Sequence, residues 1–599
     1  MNVLKITPPW YTSNGSGSAH DPDSHETVDY PSPVTPDWTP EDVFPTSYLP
    51  SQQLQNWVLA KIEYHQNYIR KLRGVYNSSS LIQRILPPEL LMEIFAHIKP
   101  ESRLDINILH VCRHWRSLAL RTAEFWVDMV ALPLSNCDPM GPPKARLNAE
   151  FFAGFLELAS TRNVAPVMRE FSPHMVEVMA PHCYRLSSLN VKVPTEHSER
   201  FFHMLSFGMP QLHTLTVYHH ATPMRFYPQI WSTLQVAQFP HDAFPRLQAL
   251  HLPPVFLSPT LPVRSVRTLK IGGCKCRDCS DPTGVYTLHT ILSFLRQCPR
   301  LSNLHIASKS REASRIHPTT SAAVELPCMQ NLSIDLDRAT WVSDILQHLI
   351  IPLTAVVRIE AEAQPNAYLP SALCTLPHVS AVDRVYFDFH IDEPNYVTKL
   401  RCKTAGHLRL SASVRDARRD AETRARCADA TFAALASPHV TDVELFVSNS
   451  RLQALHGIDA DRLARMLEGF PGAVRLCVWR AGVEELPEAL RRGADGPDGV
   501  AMPWLCPSLR ELVVRWRPPR RSSPTEVRQV FQALRSALLW RASRGCRLDR
   551  LAIEVRRLRK VRPPMEAEEV KADLERRFSG VAEEVQIVTD NEDWATTSR

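Results

Sequence analysis

Residues 86–126 read LPPELLMEIFAHIKPESRLDINILHVCRHWRSLALRTAEFW. Two prolines open a run with apolar side chains at Leu90, Leu91, Ile94, Phe95 and Ile98, the spacing of one helix face. Proline is tolerated in a first helical turn, where its missing N–H would have no partner anyway. A second apolar run carries Leu104, Ile106, Ile108 and Leu109. A third carries Val111, Cys112, Trp115, Leu118 and Ala119, and Trp126 closes the unit. The pattern predicts three short helices in about forty residues, with more apolar surface than so small a unit can bury against itself. The surplus must meet the rest of the chain or a partner.

The combination LPPELL…IF, VCRHWR and a spaced tryptophan resembles an F-box. The resemblance implies a module, over about 84–130, that docks on a Skp1-like adaptor and through it joins a cullin-RING ubiquitin ligase. Leu86 and Pro87 match the leading Leu-Pro pair that enters the adaptor's groove. Glu89, Leu90, Leu91 and Ile94 match the first helix, whose face is shared between adaptor and core. Val111, Cys112, Trp115 and Arg116 match the VCRxWR stretch of the third helix, and Leu109 completes the implied adaptor-binding set. Taken without the resemblance, the same residues read as a three-helix piece of a larger helical domain with its tryptophans in the core.

The 599 residues exceed one compact core and suggest several domains or an elongated repeat array. An apolar fraction of 44% and 22% charged residues are ordinary for a globular chain. A formal net charge of +6 gives no argument for nucleic acid. With 19 glycines against 49 prolines, glycine-rich phosphate loops are not expected, and neither GxGxxG nor GxxxxGK[ST] occurs. The N-terminus has no apolar core of signal-peptide length, and no stretch of membrane-spanning length exists. The 14 cysteines are therefore expected to be reduced, and the chain cytoplasmic and/or nuclear.

Residues 1–48, rich in Pro, Ser, Thr and Asp, predict a disordered tail. Residues 51–76 carry Leu54, Val58, Ile62, Ile69 and Leu72, an amphipathic helix pattern. From about 180 to 562 the chain repeats a small turn with proline or cysteine, followed by Leu-x-x-Leu-x-Leu or an aliphatic equivalent. Copies lie at Leu186, Leu189 and Val191; at Leu212, Leu215 and Val217; at Leu247, Leu250 and Leu252; at Val266, Leu269 and Ile271; at Leu301, Leu304 and Ile306; and at Met329, Leu332 and Ile334. Weaker copies lie near Val357 and Ile359 and near Val379 and Val382. Stronger ones return at Val440, Val443 and Leu445; at Ala473, Leu476 and Val478; at Leu509, Leu512 and Val514; and at Leu548, Leu551 and Ile553. Helix-like stretches such as ADRLARMLEGF separate them.

A strand-plus-helix unit cannot cover its own apolar face, so stacking neighbours bury a continuous core. The expected fold is α/β: an N-terminal three-helix F-box, then an irregular leucine-rich-repeat-like solenoid with a parallel strand row and outer helices. It resembles the leucine-rich repeats that follow an F-box in expanded fungal families, but the ladder Asn is mostly absent. The alternative is an unrelated α/β fold whose parallel strands mimic a repeat. Residues 565–599 are expected to form a capping helix and a disordered tail.

In Leu-x-x-Leu-x-Leu the leucines point inward and the residues between them outward. One outward row runs through Asn190, Thr216, His251, Lys270, His305, Ser333, Glu444 and Cys477. The next runs through Lys192, Tyr218, Asp335, Phe446, Trp479, Arg515 and Glu554. Tyr218, His251, Lys270, Trp479 and Arg515 are the candidate substrate-binding residues, being aromatic and basic groups suited to an interface.

Catalytic and metal motifs are weak. Cys274, Cys276 and Cys279 form CxCxxC, and with His289 could hold zinc, but no second CxxC exists. No HExxH or GxSxG occurs, so no enzymatic activity, cofactor or metal is expected. Two basic clusters, RWRPPRR at 515–521 and RRLRKVR at 556–562, read as a loop and a trailing segment. The expected function is a substrate receptor of an SCF-type ligase, with an unknown protein target and no membrane partner. The rivals are a non-ligase repeat scaffold with a vestigial F-box and an RNA-binding protein using the basic clusters.

Overall fold

The computed structural model describes residues 50–589 apart from 81, 83–84, 134–141, 221–238, 241, 258–259, 273–287, 309–321, 337–338, 363–371, 374–375, 393–396, 404–407, 415–420, 448–458, 481–482, 493–504, 519–521, 557, 559–560 and 562–563. The chain divides into two units, Met1–Ile85 and Leu86–Arg599. In the first, a 28-residue helix, Ser51–Ser78, leaves Ile62, Ile69 and Leu72 exposed. The tail expected over 1–48 lies outside the described residues.

The second unit starts with Pro88–His97, a helix entered through Pro87 and Pro88. The expected second helix is instead a 3-10 turn, Arg103–Asn107, followed by a single helical turn, Ile108–Val111. The Asp105 carboxylate accepts the N–H groups of Glu101 and Ser102 at 2.8 and 3.0 Å, which bends the chain here. Cys112 is extended, and its Sγ accepts the Trp115 N–H at 3.4 Å, capping the helix Arg113–Arg121. Trp126 lies on a further helix, Ala123–Ala131. Its indole N–H donates to the Ala119 carbonyl at 2.8 Å, and its ring meets Phe155 of the helix Pro142–Leu158 at 5.4 Å. Trp126 therefore joins this segment to the core of the remaining chain instead of closing a free-standing unit.

That remainder is a strand-and-helix array. Its strands are β1 (Val167–Met168), β2 (Ser188–Pro194), β3 (Thr214–His220), β4 (Ala249–Leu252), β5 (Thr268–Gly272), β6 (Asn303–Ser308), β7 (Val324–Glu325), β8 (Asn331–Leu336), β9 (Leu349–Ile350), β10 (Val356–Glu362), β11 (Arg384–Asp392), β12 (Val397–Lys403), β13 (Leu408–Val414), β14 (Asp442–Val447), β15 (Arg475–Arg480), β16 (Glu511–Trp516), β17 (Leu548–Val555) and β18 (Ala582–Thr589). Sixteen form one sheet in the order β1-β2-β3-β4-β5-β6-β8-β10-β13-β12-β11-β14-β15-β16-β17-β18, and β7 pairs with β9. Neighbours in the large sheet are parallel except across β12, which is antiparallel to both β11 and β13.

The stacking has a repeated local cause. Met209-Pro-Gln-Leu212, Phe244-Pro-Arg-Leu247, Cys298-Pro-Arg-Leu301, Leu326-Pro-Cys-Met329, Phe470-Pro-Gly-Ala473 and Cys506-Pro-Ser-Leu509 each close a turn, the fourth N–H donating to the first carbonyl at 3.0–3.3 Å. Proline in the second position presets the φ that such a turn needs, which accounts for many of the chain's prolines. The apolar ends of these turns are buried. Beyond the turn, one carbonyl of each unit accepts two successive N–H groups of the next: His213 from Gln248 and Ala249, Arg267 from Ser302 and Asn303, Val474 from Arg510 and Glu511.

Two inward rows then align from strand to strand. One is Leu189, Leu215, Leu250, Leu269, Leu304, Leu332 and Val357, continued by Val385, Val443, Leu476, Leu512, Leu551 and Val585. Helices cover these rows on one side, among them Leu288–Arg296, Ala460–Glu468 and Pro524–Ser543, whose buried residues belong to the same apolar cluster. Asp459 caps the second of these helices, and a Ser523–Glu526 capping box opens the third.

Three expectations change. The sheet runs from β1 to β18, beyond the limits 180 and 562, and β18 follows the helix Ala567–Phe578 within the 565–599 stretch expected to hold only a capping helix and a tail. Val585 and Ile587 continue the inward rows of β17. The weak copy at Val379 and Val382 is a helical turn, Pro377–Ser380, and a loop; the strand begins at Arg384. The strands β12 and β13 turn back beside β11, so that β13 rather than β11 pairs with β10.

Arg541, almost wholly buried, ties the third helix to the preceding turn by donating to the carbonyls of Leu505 and Cys506 at 2.7 and 2.9 Å. Removing it orphans the buried Leu505 carbonyl and leaves Cys506 only the Leu509 N–H, so Arg541→Met is expected to cost about 1–3 kcal/mol, read as a lower denaturation midpoint.

Candidate functional site

Helix Pro88–His97 divides its apolar residues between two sides. Leu91 and Phe95, four apart, are each 1% exposed and form a small core with Leu118 and Ala119. Leu90, one position and about 100° away, is 52% exposed, and Ile94, one turn further, is 46% exposed. Val111 is 50% exposed, and Pro87, Glu89 and Arg116 are also exposed. Leu86, Leu109, Cys112 and Trp115 are half-buried.

The implied adaptor set is therefore not one surface. Leu91 is a correction: it faces inward onto Leu118 and is not available to a partner in this conformation. Trp115 packs edge-on against Phe95 at 5.4 Å, and its buried indole N–H has no hydrogen-bond partner among the described residues. Arg116 donates Nε–H to the Leu109 carbonyl at 2.8 Å, tying the end of the one-turn helix to the next. Leu90, Ile94 and Val111 keep their aliphatic side chains about half exposed.

Residues 84–131 match the F-box-like domain family. No curated protein matches the chain. F-box-like domains are interaction modules that dock on Skp1-like adaptors rather than catalytic ones. The exposed apolar side chains of this F-box-like segment are consistent with such a module.

The second candidate surface is the face of the sheet away from the helices. The register sets Asn190, Thr216, His251, Lys270, His305, Ser333 and Arg358 at one level. Further along the sheet, Tyr386, Glu444, Cys477 and Val513 occupy the same level. At the next level, Phe446, Trp479, Arg515 and Glu554 stand on β14 to β17. Trp479 is held from three sides. Its indole N–H donates to Glu444 at 2.7 Å, Phe446 meets it edge-on at 5.4 Å, and the Arg515 guanidinium stacks 4.1 Å from the ring centre. Arg515 also pairs with the buried Glu554 at 3.1 Å, and Arg556 closes on the same carboxylate. Arg515 and Trp516 thus belong to β16 and not to a loop, because one fits the Trp479–Glu554 ladder and the other fills the core against Phe531. Residues 519–521, 557, 559–560 and 562 of the two basic clusters lie outside the described residues.

Tyr218 is exposed and meets His251 edge-on at 5.0 Å, while Lys270 is half-buried beside it. Tyr218, His251 and Lys270 stand on β3 to β5, remote in strand order from Trp479 and Arg515 on β15 and β16. The sequence reading overlooked a third level, Arg384, Asp442, Arg475, Glu511, Arg550 and Glu584, which alternates in sign over six consecutive strands. Its contacts run from 3.1 Å for Arg475–Asp442 to 3.9 Å for Arg384–Asp442. The signal was present: each charge immediately precedes an inward aliphatic residue.

Burial, then Glu444, pushes the Cys477 thiol up to about 12, and burial pushes Cys298 to about 12 as well, so neither offers a thiolate at neutral pH. Among the described residues no group of three His, Cys, Asp or Glu could hold a metal, and no helix is long and apolar enough to cross a membrane. Cys274, Cys276 and Cys279 lie outside the described residues, and His289 is exposed on the helix Leu288–Arg296.

The two sides of the first F-box-like helix make a direct check. Leu91→Ala is expected to cost about 2–5 kcal/mol in thermal unfolding. Leu90→Ala is expected to cost no more than about 0.5 kcal/mol.

Proposed function

We propose that this protein is the target-binding subunit of an SCF-type ubiquitin ligase. The F-box-like segment docks on a Skp1-like adaptor, and the array presents the helix-free sheet face to a protein target. The observation that carries this reading is the exposure of the aliphatic side chains Leu90, Ile94 and Val111 within residues that match the F-box-like family. Aliphatic side chains left in water gain roughly 25 cal/mol per Å² when a partner covers them. The array contributes proximity: it holds a target near the ubiquitin-loaded enzyme of the assembled ligase and needs no bond chemistry of its own. The assembly acts in the cytoplasm and/or the nucleus.

Capture by a purified Skp1-like adaptor tests the proposal. The wild-type chain is expected to bind, and Leu90→Ala combined with Ile94→Ala to bind at least about tenfold more weakly with an unchanged circular dichroism spectrum. No capture of the wild-type chain would favour a scaffold whose F-box-like segment no longer serves a ligase.

A further inference from the structure

The helix-free face has two electrostatic halves. On the strands from β11 to β17, Arg384, Arg475, Arg515 and Arg550 each lie within ion-pair distance of a carboxylate. On β4, β5, β6, β8 and β10 the row His251, Lys270, His305, Ser333 and Arg358 is built otherwise. Among the described residues, no carboxylate is in ion-pair contact with Lys270 or Arg358. Asp335 and Glu360 stand one level away, at one end of the row.

The described neighbours of the row lie on its two sides. Five adjacent strands about 4.8 Å apart give it a length of roughly 19 Å. On one side lie Thr268, Asn303 and Asn331, uncharged and linked to each other, with Asn331 donating to Asn303 at 2.7 Å and Asn303 to Thr268 at 3.4 Å. On the other side lie Gly272 and Ala307, the smallest residues of that level. Gly272 has a φ of +96°, and a Cβ there would run into the Ala307 carbonyl, so this position requires glycine. Its carbonyl accepts the Nε2–H of His251 at 2.8 Å, which fixes the imidazole.

We propose that this row is a docking strip for an extended acidic segment of the target protein, with Lys270 and Arg358 as its ionic anchors. The inference rests on the reading of the array as the target-binding part. An extended chain advances about 6.7 Å per two residues, so some six residues span the row, with alternate carboxylates directed at it. Lys270 and Arg358, without an ion-pair partner among the described residues, attract such a segment without first breaking a described ion pair, unlike the arginines of the other half. Burial, aided by Lys270, holds His251 and His305 below the usual imidazole range, although the Gly272 hydrogen bond opposes this at His251 and Asp335 at His305; Arg358 adds to it at His305. At neutral pH, Lys270 and Arg358 therefore carry the charge. A nucleic acid fits less well, because Asp335 and Glu360 stand at the next level beside the row and would repel a phosphate backbone laid across it.

The test is fluorescence anisotropy on the full chain with labelled hexaglutamate, hexaglutamine and oligouridine, at low and high salt. Hexaglutamate is expected to bind at least about tenfold more tightly than hexaglutamine, and to weaken as salt rises. Lys270→Ala with Arg358→Ala is expected to abolish that preference, whereas Lys270→Arg, which keeps the charge, retains it, and Arg528→Ala on a distant helix leaves it unchanged. Equal binding of the two peptides, an unaffected double variant, or tighter binding of oligouridine would overturn the proposal. Adaptor capture is read on the same preparation. Hexaglutamate preference without adaptor capture leaves the strip standing and removes the ligase reading, and the reverse result removes the strip alone.

Discussion

Burial of two aliphatic rows by strand stacking is the constraint on which the array depends. A single unit, such as Leu212, Leu215 and Val217 with its turn, has no surface of its own that could cover those side chains. Placed beside the next unit, Leu215 meets Leu250, and the His213 carbonyl takes the N–H groups of both Gln248 and Ala249. Sixteen strands form one sheet, and its described inward side chains share one continuous core with the helices on one side. The same stacking dictates what the other side can be: each outward residue lies about 4.8 Å from its counterpart on the next strand, so charges and rings come in rows.

Rows can be self-neutralising or open, and this protein has both. From β11 to β18 the level through Arg384, Asp442, Arg475, Glu511, Arg550 and Glu584 alternates in sign. Each such pair is worth little singly at a surface. A strand paired at the wrong level would lose the alternation along with the aliphatic burial, so the ladder and the core favour the same register. The row through Lys270 and Arg358 has no such counter-charges in contact among the described residues. The F-box-like segment shows the apolar equivalent, with Leu91 and Phe95 satisfied internally and Leu90, Ile94 and Val111 left in water.

Some of this was legible before any coordinates. Leu-x-x-Leu-x-Leu states both which residues are inward and which share an outward level, because the side chains of a strand alternate strictly. Where the spacing was clear, as at Leu301, Leu304 and Ile306, strand position and level followed directly. Where a strand carried charges or small residues among its aliphatics, the signal failed. In β18 Glu583 and Glu584 precede Val585, and β12 and β13 turn back on themselves where a repeat spacing was sought. In the F-box-like segment, an apolar run over Leu104 to Leu109 looked like a helix. Its bend depends on Asp105 accepting two N–H groups behind it, a contact that periodicity does not express.

Residue identity alone carried the repeat, the prolines that turn six of the units into their strands, and the presence of more apolar surface in 86–126 than that segment can hide. These are local properties, written in spacing. Folding in three dimensions settled where the surplus went. Trp126 is spent on Phe155, Leu91 on Leu118, and Arg515 on Trp479 and Glu554, whereas Leu90, Lys270 and Arg358 keep their surfaces. Which of two chemically similar side chains finds a partner depends on what the distant chain brings beside it. Spacing along the backbone holds no record of that long-range packing.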